Sequence, residues 1–177
     1  LKKQPAKRKL LFVISDGQPS AYSGTSNAVA DTALALKEAR KNCDYLIALV
    51  HWGKEDSSEL EQVQLDTSKQ YIEAGVDVIV GTHAHTLQGI DFYQDKAIVY
   101  NIGDFIFNHE TKDTGIFQLK IDEDGNLSYY FKPCKQDDKY TYLLTGDEEV
   151  RVLNKMRNLS PNITIEEDGN FYQNNTN

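Results

Sequence analysis

An α/β fold on a parallel sheet is what this sequence predicts, and three observations predict it. Apolar runs of strand length recur at Leu10-Leu11-Phe12-Val13-Ile14, Tyr45-Leu46-Ile47-Ala48-Leu49-Val50, Val76-Asp77-Val78-Ile79-Val80 and Ala97-Ile98-Val99-Tyr100. The stretches between the first three carry helix-forming or helically spaced residues. Each run also gives way to a polar loop. Strands this apolar are buried on both faces, as in βαβ units whose helices cover the sheet. The crossovers of such units are right-handed.

In chain order, residues 9–15 read as a short buried strand, and residues 16–26, rich in Gly, Ser and Pro, as a loop. Ser26 is placed to cap a helix over residues 27–41, which ends in Lys and Arg as the helix dipole favours. Residues 45–50 form a strand, followed by the loop His51-Trp52-Gly53-Lys54-Glu55. Over residues 59–74, Leu60, Val63, Thr67, Tyr71 and Ala74 recur at helical spacing, and Gly75 supplies a C-terminal cap. Residues 76–80 and 97–100 are further strands, with a shorter one at 89–93. The last third changes character. Residues 115–121 and 127–132 alternate around Asp124-Gly125-Asn126, the pattern of a hairpin. Residues 147–158 read as a helix with acids in its first turn and Lys155 and Arg157 in its last, stopped at Leu159-Ser160-Pro161. A short strand at 163–165, a turn at Asp168-Gly169 and a frayed polar tail at 173–177 complete the chain. This divides a single partial domain into an α/β core, 9–110, and a C-terminal hairpin, helix and tail, 111–177.

Bulk properties narrow the function. The length of 177 residues suits one domain, and 40% hydrophobic residues suffice for a core. A formal net charge of -8 repels phosphate backbones, so nucleic-acid binding is not expected. The basic cluster Lys2, Lys3, Lys7, Arg8 and Lys9 reads as a solvated lead-in to the first strand. Cys43 and Cys134 make neither a disulfide framework nor a zinc knuckle. No run reaches the ~20 apolar residues of a membrane span. Position 1 is Leu, which predicts a fragment or a processed chain.

The chemistry concentrates at strand ends. Of four histidines, His83 and His85 sit one residue apart in Gly81-Thr82-His83-Ala84-His85, and His51 follows the preceding strand. In an open parallel sheet, ligands bind outside the carboxyl ends of the strands. In an extended segment, side chains at i and i+2 point the same way. Three imidazoles at one rim therefore point to a metal site, with Zn, Mn or Fe the suitable ions. Alone, a His-X-His pair is equally a pair of loop histidines. Asp104 and Asp16 have the chemistry to complete the site, and turn formation or capping would equally explain them. Trp52, the only tryptophan, either walls the pocket or belongs to the core. Glu55 is a helix-start carboxylate or a substrate or metal-shell group.

Three ordered blocks carry a resemblance: His51-Trp52-Gly53-Lys54-Glu55, then the run from Gly75 through His85, then Ile98-Val99-Tyr100-Asn101-Ile102-Gly103-Asp104-Phe105-Ile106-Phe107. Together they resemble the CapA-type poly-γ-glutamate capsule proteins, of the calcineurin-like metallophosphoesterase superfamily. The match covers residues 9–108 well and the remainder more loosely, in the style of Gram-positive members. The resemblance implies a four-layer α/β/β/α sandwich with a two-metal site at one end of the sheets. By it, His51, His83 and His85 correspond to metal ligands. The remaining ligands, two aspartates and an asparagine, and a catalytic Asn-His pair belong to an N-terminal half. No Asp-X-His, Gly-Asn-His or Asn-Asn-His occurs in this chain. It departs from the family twice, with Asp104 where Leu-Gly-Asn-Phe is usual and Ala84 where His-Pro-His is common.

The expectation is therefore a capsule-synthesis protein with a phosphoesterase-type site, incomplete in this chain. Two divalent ions (Mn, Fe or Zn) are its cofactors in the intact protein. His51 and Asp104 stand as the catalytic candidates, Trp52 and Glu55 as the substrate-side ones. An anionic polymer or phosphoester is the expected substrate and other capsule-synthesis proteins the partners. The resemblance implies a cell-surface location, with membrane attachment through a segment absent from this sequence. The competing reading is a non-catalytic polymer-binding or assembly module.

Overall fold

A computed structural model describes residues 8–16, 28–107 and 109–174. Lys2, Lys3, Lys7, most of the loop through Ser26, the Ser26 cap and the last three residues lie outside them, as does the side chain of Asp16.

The elements run β1 (Leu10–Asp16), α1 (Ala28–Arg40), β2 (Tyr45–Trp52), α2 (Gln62–Glu73), β3 (Val78–His83), β4 (Ile90–Tyr93) and β5 (Lys96–Val99). They continue with β6 (Thr111–Ile121), β7 (Leu127–Asp137), β8 (Tyr140–Leu143), α3 (Asp147–Leu159), β9 (Ile163–Ile165) and β10 (Asn170–Gln173). The fold is α/β. One sheet has the order β1-β2-β3-β5-β4. Its first four strands are parallel, and β4 closes the far edge antiparallel to β5. The second sheet, β6-β7-β10-β9 with β8 also on β7, is antiparallel throughout.

Strand alternation sorts the core into two clusters. Leu46, Ala48, Val50 and Trp52 of β2 pack with Ile79, Ile98 and the helical residues Leu36, Tyr71 and Ile72. Ile47, Val78, Val80 and Val99 face the other way, onto Tyr129 and Phe131 of β7, Phe171 of β10 and Val152 and Met156 of α3. The parallel sheet is thus covered by α1 and α2 on one face, and by the second sheet with α3 on the other. One core joins the parallel sheet to the C-terminal elements.

Two differences from the sequence reading have clear causes. The buried face of α2 carries Gln64, Thr67, Ser68, Tyr71 and Ile72, and Val63 is exposed. The helix is turned because Gln64 is a buried tie. Its Oε1 accepts the Glu61 N–H at 3.0 Å, and its Nε2 donates to Gln88 Oε1 at 2.9 Å. Gln88 in turn donates to the carbonyls of Ser57 and Glu59, fastening the loop after β2. The second difference is that β8 and β10 occupy segments to which the sequence reading assigns no element. β8 turns straight back onto β7, with Asp137 opposite Tyr140, and β10 pairs with neighbouring β9 and with distant β7, Asn170 opposite Tyr130.

Buried Asp77 locks the parallel sheet. It accepts the Leu46 N–H at 2.9 Å and pairs with Lys96 at 2.8 Å and Arg40 at 3.3 Å. None of the described helices is long and apolar enough to cross a membrane.

Candidate metal centre

Parallel pairing sets β2 and β3 in a register that places His51 opposite Thr82 and Trp52 opposite His83. Both strands end at the same rim, and the His51 and His83 ring centroids lie 4.3 Å apart. The His83 and His85 rings are 5.9 Å apart. All three imidazoles share one edge of the sheet.

The route by which His83 and His85 meet differs from the extended segment expected. Their φ angles are 95° and 55°, left-handed values uncommon outside glycine. The chain turns sharply after Thr82, and this turn brings the two rings together. Such conformations cost of order 1–3 kcal/mol each and concentrate at functional sites.

Glu55 joins them. A second turn, with Gly53 at φ 92° and Asp56 at φ 56°, folds residues 53–56 back over the rim. It is tied to the histidine turn by the Asp56 N–H, which donates to the Ala84 carbonyl at 2.8 Å. One carboxylate oxygen of Glu55 and one nitrogen each of His83 and His85 lie within 4.8 Å of one another. His51 stands beside this group and outside it, exposed, its Nδ1 3.5 Å from Thr82 Oγ1. Glu55, read from sequence as a helix-start carboxylate or a substrate or metal-shell group, thus stands with His83 and His85, and His51 lies beside them.

Asp104 lies behind His85. Its Oδ1 is 2.7 Å from His85 Nδ1, and its side chain is only 9% exposed. The turn that delivers it is shaped by Asn101, whose Oδ1 accepts the Gly103 N–H at 3.0 Å. Phe107 stacks on the face of the ring, the centroids 4.3 Å apart. His85 is therefore held by a carboxylate and an aromatic face, with Nε2 left for another partner. Asp104 Oδ2 is buried without a hydrogen bond, and the Lys112 ammonium is 3.9 Å from it. Hydrogen bonds from Lys112 to Glu110 and Asp56 push its pKa up to about 12.

Trp52 lies elsewhere. It is 1% exposed, stacks on Tyr100 at 5.9 Å and donates its Nε1–H to the Tyr100 carbonyl at 2.9 Å. The indole reaches that carbonyl across Gly81, where an added Cβ would sit 1.9 Å from the Tyr100 oxygen. A side chain so enclosed presents no surface to a substrate, so the expected pocket-wall role gives way to a core one. Asp16 is in register with His51, and its side chain lies outside the described residues.

Sequence reasoning did not find Lys112, Asp56 or Phe107 at the site. No local pattern announces them, because they reach it through sheet pairing and turns.

Residues 3–109 match the family model described as bacterial capsule synthesis protein PGA_cap. This chain belongs to the PGA_cap family. Glu55, His83, His85 and Asp104 all fall inside the matched segment. Among its relatives, the capsule biosynthesis protein CapA of Bacillus anthracis is 31% identical over 112 residues, 61% of this chain and 27% of that protein. The PGA biosynthesis protein CapA of Bacillus subtilis (strain 168) is 30% identical over 101 residues, 55% of this chain and 27% of that protein. A probable polyglutamine synthesis accessory protein of Mycobacterium tuberculosis (strain ATCC 25618 / H37Rv) is 26% identical over 80 residues, 45% of this chain and 21% of that one. The aligned part of this PGA_cap chain spans about a quarter of the length of these curated relatives.

Proposed function

We propose that this chain carries one edge of a metal-dependent, phosphoesterase-type site in a CapA-like protein of poly-γ-glutamate capsule synthesis. The observation that carries the reading is the convergence of Glu55, His83 and His85 with Asp104 behind His85. Two imidazoles and a carboxylate fit a borderline divalent ion, with Zn, Mn and Fe the candidates. A carboxylate on the far nitrogen is how ligating imidazoles are usually oriented. Bound there, such an ion supplies Lewis acidity and an activated water.

The chain's own residues do the rest. Asp104 holds the Nδ1 proton of His85 and keeps Nε2 open. Phe107 fixes the ring plane. His51, exposed beside His83, is the group free to move a proton at the substrate. Were a second ion bound, His51 would hold it in place of moving a proton.

The two sheets then form the inner layers of a four-layer α/β/β/α sandwich. Two features support this. Among the described residues, β1 and β6 are each the open edge of a sheet. Between them runs an apolar cleft of about 450 Å³, lined by Leu10, Phe12, Leu49, Ile116 and Phe117. Further strands of the parent protein pair with these edges. We place that parent at the cell surface, beside other capsule-synthesis proteins and held to the membrane through a segment other than the described helices.

Elemental analysis of the purified chain tests the site. At least one equivalent of Mn, Fe or Zn is expected, lost in a His83→Ala/His85→Ala double variant. A second reading, a non-catalytic polymer-handling module, is favoured by the word "accessory" in the mycobacterial relative's name. Metal-free protein that still binds polymer would establish it in place of the first.

A further inference from the structure

A second cavity, of about 330 Å³, opens on the His85 side of the rim. Its wall carries three ammonium groups from three elements: Lys112 of β6, Lys135 of β7 and Lys155 of α3. In a chain of net charge -8, three cationic side chains from separate elements meet at this cavity. The convergence needs a reason, because an acidic surface otherwise repels an anionic ligand.

The acids in the same wall are already engaged. Asp113 accepts two hydrogen bonds from Arg151, at 2.6 and 3.0 Å, which leaves Lys155 a longer contact of 3.4 Å with it. Asp56 is largely exposed and pairs with Lys112 at 3.0 Å, and Glu110 also holds Lys112, at 2.7 Å. Lys112 is therefore a neutralised part of the wall. Lys135 is different: among the described residues its ammonium makes no hydrogen bond or ion pair, and its field helps to hold the Glu148 carboxyl below the ordinary range. One free ammonium and one loosely held ammonium thus face a cavity that His85 also lines.

We propose that this cavity is an oxyanion subsite, in which Lys135 and Lys155 take one carboxylate or phosphate group of an anionic ligand next to the Glu55-His83-His85 group. The proposal rests on the metal-site reading for its purpose and on the lysines alone for its chemistry. An ammonium binds either oxyanion as a point charge, so the lysines do not choose between a polymer carboxylate and a phosphate.

Calorimetric titration of the chain with inorganic phosphate, and separately with a short γ-linked glutamate oligomer, tests it. Each titration is run with Mn2+ and again in EDTA. Wild-type protein is expected to bind at least one probe in EDTA, and the tighter probe identifies the source of the anion. Lys135→Ala/Lys155→Ala is expected to weaken that binding about tenfold for each ammonium removed, while Mn2+ binding stays unchanged. Lys135→Arg is expected to retain it, and a circular-dichroism melt checks that the variants fold. The subsite is overturned if wild type binds neither probe, or if the double variant binds as wild type does. Loss of Mn2+ binding by wild type, with anion binding intact in EDTA, would instead remove the metal reading and leave the subsite standing.

Discussion

His85 is the residue on which the site turns, because its ring is fixed on two sides before any ligand arrives. Asp104→Ala removes the carboxylate behind it and should weaken Mn or Zn binding about 10- to 100-fold in a metal titration, the usual effect of losing such a partner. Asp104→Asn keeps an oxygen that can accept from Nδ1 and should retain most of the affinity. Gly81 has no such latitude. A methyl group there would overlap the Tyr100 carbonyl oxygen, which is backbone and cannot swing away. Gly81→Ala should cost about 3 kcal/mol or more, the upper end of overpacking effects, read as a fall in the denaturant midpoint. The sequence made the three histidines and Asp104 legible because strand ends are marked by where apolar runs stop. Glu55 was legible as an acid near the site, with a substrate and a metal-shell role both left open. Its place depends on two left-handed turns meeting, and no pattern in the chain encodes that meeting.

The same divide holds for elements. Long periodic segments were readable: α1, α3 and the strands of the parallel sheet lie within a few residues of their expected positions. β8 and β10 were not: Thr141 is held extended by a tight hairpin onto β7 that turns at Asp138, φ 52°, and Asn170 by pairing with distant Tyr130, rather than by local preference. Ties between elements are polar and testable. Asp77 joins β2, β5 and α1 through one buried carboxylate. Asp77→Ala should destabilise the chain by about 1–3 kcal/mol, since the Leu46 N–H is left buried without an acceptor. The tie between α3 and β6 depends on pH. Arg151 holds the Asp113 carboxyl below its ordinary range. A carboxylate with a lowered folded-state pKa contributes stability that is full above its unfolded pKa and is lost as pH falls through the folded value. The docking of α3 should therefore hold at neutral pH and weaken only below about pH 4. In Asp113→Asn that share of the acid-limb loss should vanish from a melting-temperature profile.

At the scale of the molecule, one core spans the segment matched by the family and the C-terminal hairpin, helix and short strands that lie beyond it. Ile47 and Val80 of the parallel sheet pack in the same cluster as Phe131 and Met156, so truncation near residue 110 should leave an unfolded product, visible as loss of a cooperative melt. The division of the chain at that point, natural from composition, is not a division of its core. Exposed Leu10, Phe12 and Ile14 on β1 lie on a sheet edge, the arrangement that promotes association between chains. The isolated chain should associate at high concentration, and Phe12→Lys should reduce the light it scatters. Because the edges of both sheets border one cleft, a polypeptide that pairs with β1 is delivered to β6 at high effective concentration. Closure of the two seams should then be cooperative, with the second adding its contacts for little further loss of freedom.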